Sequence, residues 1–307
     1  MNKKIFLPEE IAKQIDEIKN DNQSGSVKLT KKAADTIIDA TQKCKKDTIK
    51  DCIKKTGYRL IDAQPSMAAI FNLVNQTLII LEKIDKKEIK KTISQNTNRY
   101  IEKLDSNLLK ICKNASSIIN DGSTIATYSY SGTVLESILK AKEDGKKFKV
   151  ICSESRPINE GLNLAKKLDE KNIKIKYMTD AALFSYIKNA DLILVGADSI
   201  SINGFVNKIG TETLAISAKE YQKNFYILSS TEKIIPKKYT LRKEKNKDPD
   251  EILKDNNLKN AEIINQYFQT IPLKYADFFI TEHGLWKKNT IKNYIEKLKL
   301  HPYLKQK

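Results

Sequence analysis

The stretch DLILVGADSISINGFVNKIGTETLAISAKE, residues 191–220, contains a strand, a small-residue turn, a hairpin signal and a helix in direct succession. Leu192–Val195 is an apolar run of strand length that ends in Gly196-Ala197-Asp198. Asn203-Gly204 is typical of a hairpin turn, and Glu212–Gln222 has the apolar spacing of a helix. Strands that alternate in this way with helices are the units of a parallel sheet.

The same alternation fills the chain after about residue 120. The other predicted strands are Ile125–Tyr130, Phe148–Ser153, Ile173–Met178, Phe225–Leu228 and Phe278–Ile280. The other predicted helices are Thr133–Lys142, Glu160–Lys171 and Ala181–Lys188. This order predicts a parallel sheet with right-handed crossover connections.

The chain before residue 120 has helical periodicity instead, because its apolar residues recur at three- and four-residue spacings. The predicted helices are Leu7–Ile18, Thr30–Thr56, Ser66–Ile84 and Lys86–Ile119. We therefore predict an α/β protein with a helical N-terminal domain, residues 1–120, followed by a parallel-sheet domain, residues 121–307. The polar stretch 234–259 is predicted to be a long surface excursion.

The chain is strongly basic, with 55 Lys and Arg against 38 Asp and Glu and a net charge of +17. Clustered cations bind phosphate backbones, but only four of these residues are Arg, and no aromatic residues interleave the Lys runs. We interpret the runs as solvated helix faces and expect no direct contact with nucleic acid. No apolar run approaches the roughly 18 residues of a membrane span, so we expect a cytoplasmic protein without a membrane partner.

Cys44, Cys52, Cys112 and Cys152 have the spacing of neither a zinc site nor a disulfide framework. Only two histidines are present in the whole chain. We expect reduced thiols, no metal site and no cofactor.

Ligands of open parallel sheets collect at the carboxyl ends of the strands. Ser131 and Gly132 lie between a predicted strand and a helix, where N–H groups can hold a phosphate or carboxylate. A capped helix without a ligand fits the same residues. Asp198 follows two small residues that allow a ligand close to the backbone, and its carboxylate can exchange a proton or merely cap a turn.

Two further motifs supply polar groups at the same edge of the predicted sheet. Asn207 and Lys208, in Asn207-Lys208-Ile209-Gly210-Thr211, suit a sugar hydroxyl and a phosphate together. Arg156, in Glu154-Ser155-Arg156-Pro157, is a candidate ligand-binding residue that can equally pair with its neighbours.

The order of these motifs resembles one family. FKVICSESRPINEGLNLAKKL (148–168) and TDAALFSYIKNADLILVGADSISINGFVNKIGTETLAISAKE (179–220) are similar to the core of the translation initiation factor 2B alpha/beta/delta family. This family also contains methylthioribose-1-phosphate isomerase and ribose-1,5-bisphosphate isomerase. The resemblance runs from QPSMAAIFNLVN (64–75) to ADFFITEHG (276–284). It implies that the sheet domain, residues 121–307, is a Rossmann-like α/β domain that binds the ligand and forms homodimers, or higher homo-oligomers.

The resemblance also implies where the isomerases carry their functional groups. Their catalytic cysteine falls at Ser129, and its partner aspartate matches Asp198. Their phosphate-binding arginines fall at Ser24, beside Gly25, and at Gln64. This chain therefore has a weaker acid and two neutral side chains at three of the four positions.

We predict a non-catalytic protein that resembles the regulatory subunits of initiation factor 2B. It would bind a phosphorylated sugar or nucleotide through Gly25 and the strand-end residues named above, and assemble with itself or with initiation factor 2. The alternative is a sugar-phosphate aldose–ketose isomerase of the ribose-1,5-bisphosphate or methylthioribose-1-phosphate type. Asp198 would then be catalytic, with Ser129, Tyr128 or Tyr130 carrying the second proton.

Overall fold

The computed structural model of the chain describes residues 6–21, 24–240, 246–254 and 258–305. Its first part is helical, as predicted, with α1 Glu9–Asn20, α2 Ser26–Lys43, α3 Ile49–Ala63, α4 Ala68–Leu81 and α5 Ile89–Ile118. Helix α4 is apolar on almost every side, and such a helix must be surrounded by others. Across the described ranges, no helix is long and apolar enough to cross a membrane.

The single helix predicted for Thr30–Thr56 is wrong, because a turn at residues 44–48 divides it into α2 and α3. Periodicity missed the break, since both helices place an apolar stripe against the same core. The turn also brings the Cα atoms of Cys44 and Cys52 to 6.4 Å, within bridging range, and the two form a disulfide. The expectation of reduced thiols is therefore wrong for this pair, whereas Cys112 and Cys152 are free and buried.

In the described residues of the second part there are ten strands: β1 Thr124–Thr127, β2 Lys149–Ser153, β3 Lys174–Met178, β4 Leu192–Gly196, β5 Ser199–Ser201, β6 Gly204–Lys208, β7 Asn224–Leu228, β8 Phe268–Ile271, β9 Phe278–Thr281 and β10 Gly284–Trp286. Seven form one sheet in the order β10-β9-β7-β4-β1-β2-β3, parallel except for β10. The helices are α6 Gly132–Glu143, α7 Glu160–Asp169, α8 Asp180–Tyr186, α9 Thr211–Glu220 and α10 Lys288–Lys297. The predicted α/β class with a helical N-terminal region is thus confirmed.

Strands β5, β6 and β8 form a small antiparallel sheet beside the large one. The predicted hairpin at Asn203-Gly204 joins β5 to β6. A Cβ atom at Gly204 would lie 2.4 Å from the Ile271 carbonyl oxygen, so only glycine allows β8 to pack this closely. This hairpin brings Asn207 and Lys208 back to the edge where β4 ends.

The predicted surface excursion at 234–259 is only partly correct. Its first residues turn inward, because Ile234, Ile235 and Tyr239 are buried. The Tyr239 ring stacks on Phe71 of α4 with centroids 3.8 Å apart. The polar part at 246–254 lies on the surface, and residues 241–245 and 255–257 lie outside the described ranges.

A buried polar seam joins the helical part to the sheet. Asn107 of α5 donates from Nδ2 to Glu232 Oε2 at 2.8 Å and to Glu282 Oε1 at 3.1 Å. Asn72 of α4 donates to the carbonyl oxygens of Glu232 and Ile234 at 2.7 and 2.8 Å. Both carboxylates are almost fully buried, so the Asn107 amide offsets part of a large desolvation cost, whereas Asn72 satisfies two backbone carbonyl oxygens of buried residues.

We expect Asn107→Ala to lower the free energy of unfolding by about 3 kcal/mol, because two buried carboxylates lose their shared donor. Asn96→Ala is the matched control, since Asn96 is a half-buried amide of the same helix that donates only to Thr92 within it. Urea unfolding of both variants measures the difference. Equal losses in the two variants would contradict the role of the seam.

Candidate functional site

The order of strands reverses its direction at β1 and β4, so the carboxyl ends of these two strands flank the topological switch point. Ser129 and Ser131 follow β1, and Asp198 follows β4. The two loops are in contact, because a Cβ atom at Gly196 would lie 2.4 Å from Ser131 Oγ. The sheet therefore brings these predicted residues to one place, which is where open parallel sheets bind ligands.

Ser131, rather than Thr133, is the N-cap of α6, and its Oγ accepts from the Val134 N–H at 3.4 Å. Gly132 is the first residue of the helix, with open space around its Cα. The predicted anion cradle is thus a capped helix N-terminus, and its ligand-binding role stays a prediction.

Ser129 has a left-handed backbone conformation with φ of 67°. Its N–H donates to Ser155 Oγ at 2.9 Å, and its hydroxyl donates to Glu160 Oε1 at 2.8 Å. Ser155 is fully buried, so the Ser129 backbone is held by a fixed partner. The hydroxyl is therefore directed at a carboxylate.

Glu160 is the first residue of α7, and it reaches the site because α7 begins directly against β2. A Cβ atom at Gly161 would lie 1.8 Å from the Ser153 carbonyl oxygen, so glycine is required for this approach. Lys208 Nζ lies 2.7 Å from Glu160 Oε1, and the lysine is 2% exposed. The two groups form an ion pair, but their geometry does not meet the angular criteria of a hydrogen bond. Among the described residues, Lys208 Nζ and Glu160 Oε2 therefore have no hydrogen-bond partner.

The two remaining predicted ligands are held by the protein itself. Asn207 is buried, and its Nδ2 donates to Thr211 Oγ1 at 3.0 Å. Arg156 is exposed, and its guanidinium donates to the carbonyl oxygens of Glu251 and Ile252 at 3.4 and 3.1 Å. Arg156 thus fastens the segment 246–254 to the end of β2. A ligand contact by either residue stays a prediction.

A small cavity lies between the helical part and the sheet, with a volume of about 10 Å³, which is room for one water molecule. Gly25 is the exposed N-cap of α2, and the cavity wall begins with the next residue, Ser26. The polar lining is completed by Thr133, Ser230 and Lys233. The first turn of α2 and a buried amine therefore meet in this cavity.

Lys233 is 7% exposed, and its Nζ donates to the Ala197 carbonyl oxygen at 2.8 Å. Burial lowers the pKa of Lys233 below the ordinary lysine value, and the negative charge of Asp198 only partly opposes this shift. Asp198 is half-buried, its N–H donates to the Val206 carbonyl oxygen, and its own carbonyl accepts from Ala68 at the start of α4.

The proton carriers that would replace a cysteine at Ser129 are poorly prepared for catalysis. Burial, with the nearby Asp180 and Glu160, raises the pKa of Tyr128 well above its ordinary value, and its hydroxyl donates to the Ile209 carbonyl oxygen. Burial raises the pKa of the Cys152 thiol to about 12. Tyr130 lies at the surface beside Lys167, whose Nζ donates to its hydroxyl.

Sequence reasoning missed Glu160 and Lys233. Glu160 was seen only as the start of a helix, and its partner Lys208 is far away in sequence. Lys233 lies between the predicted strand Phe225–Leu228 and the predicted surface excursion at 234–259, and neither element singles it out. An isolated Lys before the apolar pair Ile234-Ile235 was the one available signal.

We expect the free energy of unfolding of the wild type, relative to Lys233→Met, to increase as the pH rises toward 10.4. The folded chain binds fewer protons at Lys233 than the unfolded chain between the lowered pKa and the ordinary value of about 10.4, so stability rises with pH there. The gain is about 1.4 kcal/mol for each unit by which the pKa is lowered.

Denaturant titrations at a series of pH values measure this difference. Lys237→Met is the control, because the side chain of Lys237 is 54% exposed. Parallel curves for the wild type and Lys233→Met would show that Lys233 titrates as an ordinary lysine.

Known proteins match this chain along most of its length. The model of the Initiation factor 2 subunit family matches residues 22–288. A Pyrococcus horikoshii protein named translation initiation factor eIF-2B subunit 2-like is 33% identical over 283 residues, which cover 91% of this chain and 97% of that protein. A ribose 1,5-bisphosphate isomerase of Methanocaldococcus jannaschii is 30% identical over 282 residues, which cover 90% and 91%. The crystal structure of a Pyrococcus horikoshii OT3 translation initiation factor eIF-2B has a TM-score of 0.81 at 29% identity, covering 92% and 99%.

Proposed function

This chain belongs to the initiation factor 2 subunit family, and from that premise we propose that it is a non-catalytic, regulatory-subunit-like protein. In this proposal it binds a phosphorylated small molecule between its helical part and its sheet, and assembles with itself or with translation factors. Its relatives include both an eIF-2B-like protein and a ribose 1,5-bisphosphate isomerase. The choice between the two roles therefore depends on the residues at the strand ends.

The environment of Ser129 carries the proposal. This residue stands where the resemblance implies the cysteine of the isomerases, and its hydroxyl donates to Glu160. A serine hydroxyl is far less acidic than a thiol, whose ordinary pKa is about 8.5. The proton transfer that the resemblance implies between this position and Asp198 thus lacks its first group.

The size of the cavity supports a binding role that is linked to movement. Space for one water molecule does not admit a sugar phosphate, so binding requires α2 and α5 to move away from the sheet. A ligand that binds the open arrangement more tightly than the closed one shifts the population toward the open arrangement. Lys233 and the N–H groups at the start of α2 would then hold the phosphate.

An isomerase is the second candidate, and the pairing of Asp198 with Lys233 is the observation that favours it. An aspartate beside a buried amine, at the end of a strand, is an acid–base arrangement that an assembly protein does not need. Asp198 and Lys233 would carry the two protons in this case.

Phosphorus NMR spectra over several hours test the choice, with ribose 1,5-bisphosphate and methylthioribose 1-phosphate as probes. We expect no new resonances from either compound. We expect the resonances of the compound that binds to broaden with the wild type, and this broadening to disappear with Lys233→Met. Product resonances that disappear in Asp198→Asn, with a thermal unfolding control for that variant, would establish an isomerase instead. Lys237→Met again serves as the matched lysine control.

Assembly is motivated by the free edge of the large sheet. Strand β3 ends the sheet on one side, and Tyr177 on this strand and Tyr186 on α8 are each 43% exposed. The exposed tyrosine side chains offer a contact surface for another chain, whereas Lys174 and Lys176 on the same strand oppose pairing of its backbone with a second edge strand.

We expect light scattering to give at least twice the 35.0 kDa mass of one chain, and Tyr177→Lys to reduce it to that of a monomer. An ammonium group in place of the Tyr177 ring would have to be desolvated in a side-chain contact with another chain, which is the physical reason for the expected loss. Leu285→Lys on β10, at the other edge, is the control, because Leu285 is similarly exposed at 49%. A monomeric wild type that also fails to co-elute with initiation factor 2 would contradict the assembly role.

A further inference from the structure

We propose that Glu160 determines the ligand class of the site at Lys208: it is a counter-anion that excludes phosphate there and selects a neutral, hydroxyl-bearing group. This inference rests on the proposed ligand-binding function and refines it. It concerns the cluster of Ser129, Glu160, Lys208 and Tyr267, called here the Lys208 cluster.

One oxygen atom of Glu160 contacts both groups that an incoming phosphate would need, the Lys208 ammonium and the Ser129 hydroxyl. Oε1 lies 2.7 Å from Lys208 Nζ and accepts the Ser129 hydroxyl at 2.8 Å. A phosphate oxygen at the same position would have to displace the carboxylate from a lysine that is 2% exposed. The two anions would otherwise lie side by side in a poorly solvated place, where like charges repel strongly.

Glu160 is fixed in this position by the fold. It occupies the first turn of α7, where the helix dipole stabilises a negative charge. The close packing at Gly161 allows α7 little displacement from β2. Its side chain is 16% exposed, so water only weakly screens its charge.

The opposite side of the cluster is closed by an aromatic ring. The centroid of the Tyr267 ring lies 5.0 Å from Lys208 Nζ, and the Tyr267 hydroxyl donates to Glu251 Oε1. Glu251 also accepts from Asn265 at 2.7 Å, and its carbonyl accepts from Arg156. The hydrogen bonds of Glu251 with Tyr267, Asn265 and Arg156 thus hold the ring over the ammonium group.

The free hydrogen-bonding capacity of the cluster fits a hydroxyl group. Within the described residues, Lys208 Nζ lacks an acceptor in hydrogen-bond alignment, and Glu160 Oε2 lacks a donor. A hydroxyl group accepts from the first and donates to the second, whereas the dianionic phosphate group of a sugar phosphate ester has no hydrogen and can only accept. The cluster therefore favours the sugar end of a ligand over its phosphate end.

Isothermal titration with inorganic phosphate, and separately with ribose 1,5-bisphosphate, tests this inference. We expect Glu160→Gln to bind phosphate at least about tenfold more tightly than the wild type, since it removes the carboxylate and keeps the side-chain shape. Glu154→Gln is the matched control, a half-buried carboxylate at the same sheet edge, and should leave the affinity unchanged. Lys208→Gln in the Glu160→Gln background should abolish the gain.

Equal phosphate affinity in the wild type and Glu160→Gln would overturn the inference, as would a gain that survives the loss of Lys208. If Glu160→Gln does not fold in a thermal unfolding control, Glu160→Ala removes the same charge and is judged by the same criteria. Turnover of sugar phosphates by the wild type would reject the non-catalytic role alone. The affinity ratio between the two proteins would still decide the role of Glu160.

Discussion

Buried amide side chains form the interaction on which the rest of the structure depends. Asn72 and Asn107 extend from the helical part and donate to the segment that follows β7, and Asn107 also reaches Glu282 after β9. A purely apolar contact would allow the two parts to slide, whereas amides and carboxylates must meet in one register to offset their desolvation. The seam therefore fixes the relative position of the helices and the strand ends.

That register also places the candidate site. Glu232 is held through its side chain by Asn107 and Lys103 and through its carbonyl oxygen by Asn72, so the next residue, Lys233, is directed into the cavity. Its low exposure and its bond to Ala197 follow from this placement. If the cavity opens to admit a ligand, the hydrogen bonds and the ion pair of the neighbouring Glu232 must be strained. Ligand binding and the relative position of the two parts are thus physically linked.

The sequence predicted the large sheet well, because each of its buried strands is a short apolar run. It did not predict β8, which is only partly apolar and gains its place by pairing with β6, far away in the chain. The approach of Ser131 to Gly196, at the end of β4, followed from parallel topology. The pairing of Glu160 with Lys208 did not, since it depends on where α7 begins, and only the contact between Gly161 and β2 decides that.

The net charge of +17 is a poor guide to the site. The two buried lysines there each face a carboxylate, Glu160 beside Lys208 and Asp198 beside Lys233. The two pairs differ in distance and therefore in how far each acid neutralises its lysine. Glu160 is in direct contact with Lys208. Lys233 donates to a carbonyl oxygen instead, and Asp198 acts on it only electrostatically. In the proposed ligand-binding role, an anionic group would therefore be better accommodated beside Lys233, and the site would distinguish the two ends of a ligand through its acids rather than its lysines.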